Sequence, residues 1–235
     1  MRAEPGGWRS FLTHLECTSC GLRHNADEPQ TVCTGCGKVL YARYDLAAAS
    51  CAVTPRDLRS RRWDMWRYAE LLPVRSVANV ISLGEGMTPL LRAPSEAATA
   101  LGLERGQLLL KDEGQNPTGS FKARGLSAAV SRARELGCRA VALPSAGNAG
   151  SAAAAYAAAA GIEAHVAMPR DVPVVNRIET AAYGAAVTLV DGLINDAGSF
   201  IREEGARQGW FDVSTLREPY RQEGKKTMGY ELAEQ

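Results

Sequence analysis

Residues 140–168, AVALPSAGNAGSAAAAYAAAAGIEAHVAM, set the architecture. The stretch opens on a short apolar run of strand length, residues 140–143. A loop of small residues follows, Ser145-Ala146-Gly147-Asn148-Ala149-Gly150. Residues 148–160 then read as a helix, because alanine loses least on entering one, and Gly161 stops it. Residues 164–168 form a second apolar strand. Strand, helix and strand in so short a span make a βαβ unit, whose two strands must run parallel.

The same alternation continues on both sides. Downstream, residues 174–183 read as a helix stopped by Gly184, 186–190 as a strand, 193–208 as a helix and 210–213 as a strand, with a last helix beginning near Thr227. Upstream, 108–111 reads as a strand and 119–136 as a helix stopped by Gly137. This pattern predicts an α/β fold whose parallel sheet is covered on both faces. Residues 50–82 are mixed and partly helical. Within them RDLRSRRWDMWR reads as an amphipathic helix with a solvated basic face, with Trp63, Trp66 and Leu71 turned to the core. There is no internal repeat and no low-complexity tail.

Composition narrows the function classes. The 235 residues are 46% hydrophobic and 23% charged, as expected of a packed globular chain. A net charge of +1 provides no global field to draw nucleic acid or an anionic membrane. No run approaches the ~18 apolar residues of a membrane span. The N-terminal MRAEPGGWRSFLTHLE lacks the apolar core of a secretory signal. A cytoplasmic location with reduced cysteines is the expectation.

Four of the six cysteines fall in one module, residues 14–46, as Cys17-x2-Cys20 and, twelve residues on, Cys33-x2-Cys36. Gly21 and Gly37 follow the pairs, where knuckle turns need them. This spacing lets four thiolates converge on one tetrahedral zinc ion in a structural zinc ribbon. Two disulfides are the alternative. Cys51 and Cys138 read as buried small hydrophobes, His14 and His24 as surface residues and His165 as a core residue.

Two loops carry candidate chemistry. In Asn116-Pro117-Thr118-Gly119-Ser120-Phe121-Lys122-Ala123-Arg124-Gly125, Pro117 and Gly119 shape a turn and Ser120 can cap the helix that follows. Lys122 then sits in the first helical turn, where the helix dipole opposes protonation and favours a nucleophilic amine. From spacing alone, a solvated helix lysine is the favoured reading. The loop Ser145–Gly150 joins a strand to a helix N-terminus, where backbone N–H groups can bind an anion. A plain βα turn is the alternative there.

Taken in order, GEGMTPL (84–90), NPTGSFKARG (116–125), SAGNAG (145–150) and PYRQEGKKT (219–227) resemble the motifs of threonine synthases, which are fold type II pyridoxal-phosphate enzymes. A four-cysteine ribbon occurs in a bacterial and archaeal branch of them. The resemblance implies a fold like that of the tryptophan synthase β subunit, with a catalytic region over 47–235 that contains a small βαβ subdomain at about 125–225. It implies that Lys122 carries pyridoxal 5'-phosphate covalently and moves protons, that Asn148 bonds the cofactor's phenolic oxygen and that Phe121 walls the pocket. Ser145 and Gly147 would hold the substrate carboxylate, and Arg221 its phosphate. The implied reaction converts O-phosphohomoserine and water to threonine and phosphate.

Three departures from that pattern carry expectations of their own. Ala123 follows the lysine where aspartate is common. Ala146 and Ala149 replace threonines of the carboxylate loop, which makes ammonia-lyase chemistry on threonine or serine the second candidate. No glycine-rich phosphate cup follows by Gln235, so the region reads as C-terminally truncated, with little turnover expected from this chain alone. In the complete enzyme a homo-oligomer is expected, or a C-terminal half if the enzyme is split. Two further classes are a nucleic-acid-binding ribbon, which the neutral charge opposes, and a non-catalytic binding partner chain.

Overall fold

The computed structural model describes residues 8–235. The chain opens with three antiparallel strands in the order β2-β1-β3: β1 (Leu12–Cys17), β2 (Arg23–His24) and β3 (Leu40–Tyr44). Leu12, Leu15, Cys17 and Leu40 are buried and join the main core, so this module is packed onto the rest of the chain. His24 is buried too, against the surface position expected of it.

Helix α1 (Leu46–Ala52) starts where the Asp45 carboxylate accepts the Ala48 N–H at 2.9 Å. It buries only Ala49, so Cys51 is exposed rather than buried, and Cys138 is partly exposed. Residues 56–67 do not form one amphipathic helix. The short α2 (Pro55–Leu58) ends, and Asp64 caps a new 3-10 segment, Met65–Leu71, by accepting the Trp66 N–H at 2.9 Å. That break turns Trp66 into the core at 1% exposure and leaves Trp63 at 68%.

Strand β4 (Leu90–Arg92), helix α3 (Ser95–Ala100) and strand β5 (Leu109–Lys111) follow. β5 pairs antiparallel with β4 in a separate two-stranded sheet. The expected strand is therefore present, but outside the parallel sheet. Asp112 caps a 3-10 turn directly after it and carries the chain away towards helix α4 (Lys122–Glu135).

The main sheet comprises β6 (Ala140–Pro144), β7 (Glu163–Pro169), β8 (Ala186–Val190) and β9 (Phe211–Asp212), all parallel, in the order β8-β7-β6-β9. Helices α5 (Asn148–Ala160), α6 (Val174–Ala182) and α7 (Ile194–Gln208) connect the strands. Successive strand residues face opposite sides. Val141, Leu143, Val166 and Met168 pack with α4 and α5, whereas Ala142 and Ala167 pack with Ala197 and Ile201 of α7. α5 is buried from Gly150 to Tyr156 and on to Ala157, which explains its alanines: an all-round apolar helix belongs inside.

Helix α8 (Tyr220–Glu234) begins well before Thr227, because the Glu218 carboxylate accepts the N–H groups of Tyr220 and Arg221 at 2.6 and 2.9 Å. α8 crosses α4 closely. A methyl on Gly224 would overlap the Arg124 carbonyl, and one on Gly125 would lie 3.0 Å from the Arg221 carbonyl oxygen. Both positions need glycine for this approach. Among the described residues, no helix is long and apolar enough to cross a membrane.

Candidate active site and thiolate cluster

Lys122 opens α4, and its N–H is accepted by the Ser120 hydroxyl at 3.3 Å, but the N-cap position itself falls on Phe121 and not on the expected Ser120, and no side chain caps the helix there. Its side chain meets the loop at the C-terminal end of β6. Lys122, Pro144 and Ser145 to Ala149 line one cleft of about 420 Å³, together with Ile194. Ligands bind at the carboxyl ends of parallel strands in open α/β sheets, and this volume lies within the range of small-molecule sites. A neighbouring cavity of about 460 Å³ shares Pro144 and Ile194 and is lined by Ser214 and Thr215.

Lys122, Ser145, Gly147 and Asn148 are thus brought together. The Ser145 hydroxyl accepts the N–H groups of Gly147 and Gly150 at 3.2 and 2.9 Å, so it shapes the loop from inside. Asn148 begins α5 at this same cleft, where the Gly150 N–H of the first turn is already taken by Ser145. Phe121 is partly buried and lies outside this lining. Arg221 also lies outside it, on α8 beside Gly125.

Arg221 is 2% exposed. Its Nη1 donates to the Val213 carbonyl at 2.8 Å, while Nε and Nη2 have no acceptor. Burial lowers its pKa, against the pull of Glu218. Leaving donors of a buried guanidinium unpaired is costly, so an acceptor from outside the described residues suits this site.

Sequence reading did not identify two buried networks. In the first, Arg124 lies two residues beyond Lys122 and is fully buried. It forks onto Glu113 with two bonds of 2.7 Å, and also donates to Glu231 at 2.7 Å and Thr227 at 3.0 Å. Burial works to raise the Glu113 carboxyl, but the Arg124 bonds outweigh it and hold the group below its usual range. In the second, Glu85 of GEGMTPL accepts from Trp66 Nε1 at 3.0 Å, the Tyr156 hydroxyl at 2.6 Å and the Leu83 N–H at 2.9 Å. These networks tie α4, α5, α8 and the 84–90 loop into one frame behind the cleft. Glu85 stood inside a motif already singled out; Arg124 had no signal of its own.

At the other end of the chain, the sulfur atoms of Cys17, Cys20, Cys33 and Cys36 all lie within 4.8 Å of one another. The closest approaches are 3.4 Å for Cys17–Cys36 and 3.6 Å for both Cys20–Cys33 and Cys20–Cys36. Zinc–sulfur bonds of about 2.3 Å in a tetrahedron put sulfurs about 3.8 Å apart. All four are free thiols. The Cys20 N–H, with that of Ser19, pulls Cys17 down to about 6. Cys36 is pushed up to about 12 by the neighbouring sulfurs of Cys17, Cys20 and Cys33 and by burial, despite the opposing Lys38 N–H. Four thiolates so close repel one another, and a divalent cation would offset that repulsion. The donor set fits zinc.

Residues 81–235 match the family described as "Pyridoxal-phosphate dependent enzyme". The chain belongs to this family. It is 36% identical to a threonine synthase of Methanocaldococcus jannaschii over 93% of this chain and 53% of that protein. It is 35% identical to a threonine synthase of Methanosarcina acetivorans over 95% of this chain and 54% of that one. The chain therefore spans about half the length of these relatives. Among solved structures, maize serine racemase superposes with a TM-score of 0.56 at 26% identity, over 63% of this chain and 44% of that one.

Proposed function

We propose that this chain forms the lysine-bearing part of a threonine synthase, acting on O-phosphohomoserine and water to give threonine and phosphate. The observation that carries this reading is the single cleft shared by Lys122, Ser145, Gly147 and Asn148. The two threonine synthases matched over more than nine-tenths of the chain support it.

Pyridoxal phosphate, when bound, supplies an electron sink for negative charge developing on substrate carbons. Every other role belongs to the chain's own residues. Lys122 holds the cofactor and moves protons at its Nζ. The Asn148 amide orients the cofactor ring. The substrate carboxylate is held by the Ser145–Gly147 backbone and the N-terminal amides of α5, which favour an anion. Arg221 offers its free Nε and Nη2 to the substrate phosphate, as a planar fork suits.

Zinc on Cys17, Cys20, Cys33 and Cys36 is part of the same reading, as the structural centre of a ribbon spanning about 14–46, with the catalytic region at 47–235. So are a reducing, cytoplasmic setting and a homo-oligomeric complete enzyme. A second reading, ammonia-lyase chemistry on threonine or serine, is favoured by the methyl groups of Ala146 and Ala149 in the cleft lining.

Borohydride reduction of the chain with pyridoxal phosphate, followed by peptide mass spectrometry, tests the site. A cofactor adduct confined to Lys122 and lost in Lys122→Ala supports it; adducts scattered over other lysines overturn it. Perturbation of the bound cofactor's spectrum by O-phosphohomoserine, and not by threonine or serine, supports the first reading. The reverse preference supports the second.

A further inference from the structure

Position 225 carries a cation with no assigned role. Glu223 pairs with Lys226, whose ammonium also lies 4.0 Å from the centre of the Tyr44 ring. Lys225 has no hydrogen bond or ion pair among the described residues, although it is half-buried. Its surroundings are cationic. A methyl built on Gly125 would lie 3.5 Å from both Arg221 Cβ and Lys225 Cε. Arg221 and Lys225 are four residues apart on α8 and so share a face. Gly125 is three residues past Lys122 on α4, which places the pair about 4.5 Å along that helix from the lysine.

Three cations thus converge, offset through space by the Glu218 carboxylate and, at Arg221, also by that of Asp212. Burial lowers the Lys225 pKa, and the charges of Arg221 and Lys122 lower it further. The Glu218 carboxylate acts on Arg221 and Lys225 only at a distance: it accepts the N–H groups of Tyr220 and Arg221 and forms no ion pair with either side chain among the described residues. Arg221 keeps two nitrogens unpaired at 2% exposure. Such an arrangement costs the empty protein stability and becomes favourable only with an anion between the groups.

We propose that Lys225 and Arg221 together cradle the tetrahedral dianion of a phosphorylated amino acid, and that Lys225 is the specificity residue that favours it over the unphosphorylated hydroxy amino acid. This rests on the reading of Lys122 and Arg221 given above. Arg221 supplies a planar fork that fixes orientation. Lys225 supplies a compact point charge that matches the second negative charge, which a hydroxyl lacks. Gly125 leaves room for both.

Inorganic phosphate is the probe. Isothermal titration on the full chain, with the cofactor fixed on Lys122 by borohydride, is expected to show phosphate binding. Lys225→Gln weakens it at least tenfold and lowers its salt dependence, while Lys225→Arg largely restores it. Without phosphate, Lys225→Gln melts at the same temperature as the parent or higher, because repulsion is relieved; a lysine with only a structural role would lower the melting point. Unchanged phosphate affinity in Lys225→Gln, or no binding by the parent, overturns the proposal. Phosphate binding seen only before the cofactor is attached also overturns it, since the cradle would then hold the cofactor's own phosphate. If the Lys225 dependence holds but O-phosphohomoserine does not compete with phosphate, the cradle stands and the threonine synthase reading fails.

Discussion

The hydroxyl of Tyr220 donates to the Ala26 carbonyl at 3.1 Å, across a sequence separation of 194. The same carbonyl accepts from Arg132 at 2.7 Å, and the Asp27 carboxylate beside it takes 3.0 Å bonds from two Arg75 nitrogens. A loop of the N-terminal module is therefore clasped to α4 and α8. The Arg75 bond, then that of Arg132, holds the Asp27 carboxyl below its usual range. A depressed carboxyl contributes stability above its unfolded pKa of about 3.9 and loses it as pH falls through the lower folded value, so the clasp opens only in strong acid. Asp27→Asn is expected to cost about 1 kcal/mol and to speed amide exchange over residues 23–28 before the main sheet responds. Uniform exchange throughout the chain would refute the clasp.

Gly224→Ala forces a methyl into the Arg124 carbonyl at the α4–α8 crossing. Neither helix backbone can yield without moving the buried Arg124 network, so a loss of about 3 kcal/mol is expected in urea unfolding. Gly229→Ala meets nothing within 4 Å on the same helix and is the control. Equal effects of the two would show that the crossing is looser than described.

Burial raises the Glu218 carboxyl to about 7, although Arg221 and the two N–H groups it accepts work to lower it. For a raised group, the stabilisation is full below the unfolded value of about 4.3 and is lost as pH climbs through the folded value. Two to three pK units correspond to about 3 kcal/mol. The melting temperature is therefore expected to fall between about pH 4 and pH 7 and to level off above that, with a smaller slope in Glu218→Gln. Parallel profiles for the two proteins would count against this assignment.

Metal analysis of the purified chain is expected to find one zinc per molecule, reduced by replacing any one of Cys17, Cys20, Cys33 or Cys36 with serine. The loss of stability should exceed about 3 kcal/mol, because ribbon folding is coupled to metal binding. Two disulfides and no metal would contradict it.

The βαβ core could be read from local sequence because its signals are local. Apolar runs, alanines and Gly161 place β6, α5 and β7 within a residue or so of their observed limits. The cleft-lining loop was likewise visible as small residues between a strand and a helix. What local pattern did not reveal depends on distant partners. Trp63 and Trp66 look alike in sequence, yet only Trp66 finds Glu85 and Ser127, 19 and 61 residues away. The residues LLK of β5 do not say which sheet they join. Lys225 and Lys226 are adjacent and chemically identical, and only the rotation of α8 sends one to Glu223 and Tyr44 and the other towards Gly125.

The bond between Ala26 and Tyr220 bears on the order of events during synthesis. The N-terminal module leaves the ribosome while α8, part of its docking surface, has yet to be made. Closing so long a loop costs entropy before any contact repays it, which puts this docking late in folding. Until then the module has to keep its shape through its own short strands and thiol cluster, and its final seating marks the point at which the rest of the chain has folded.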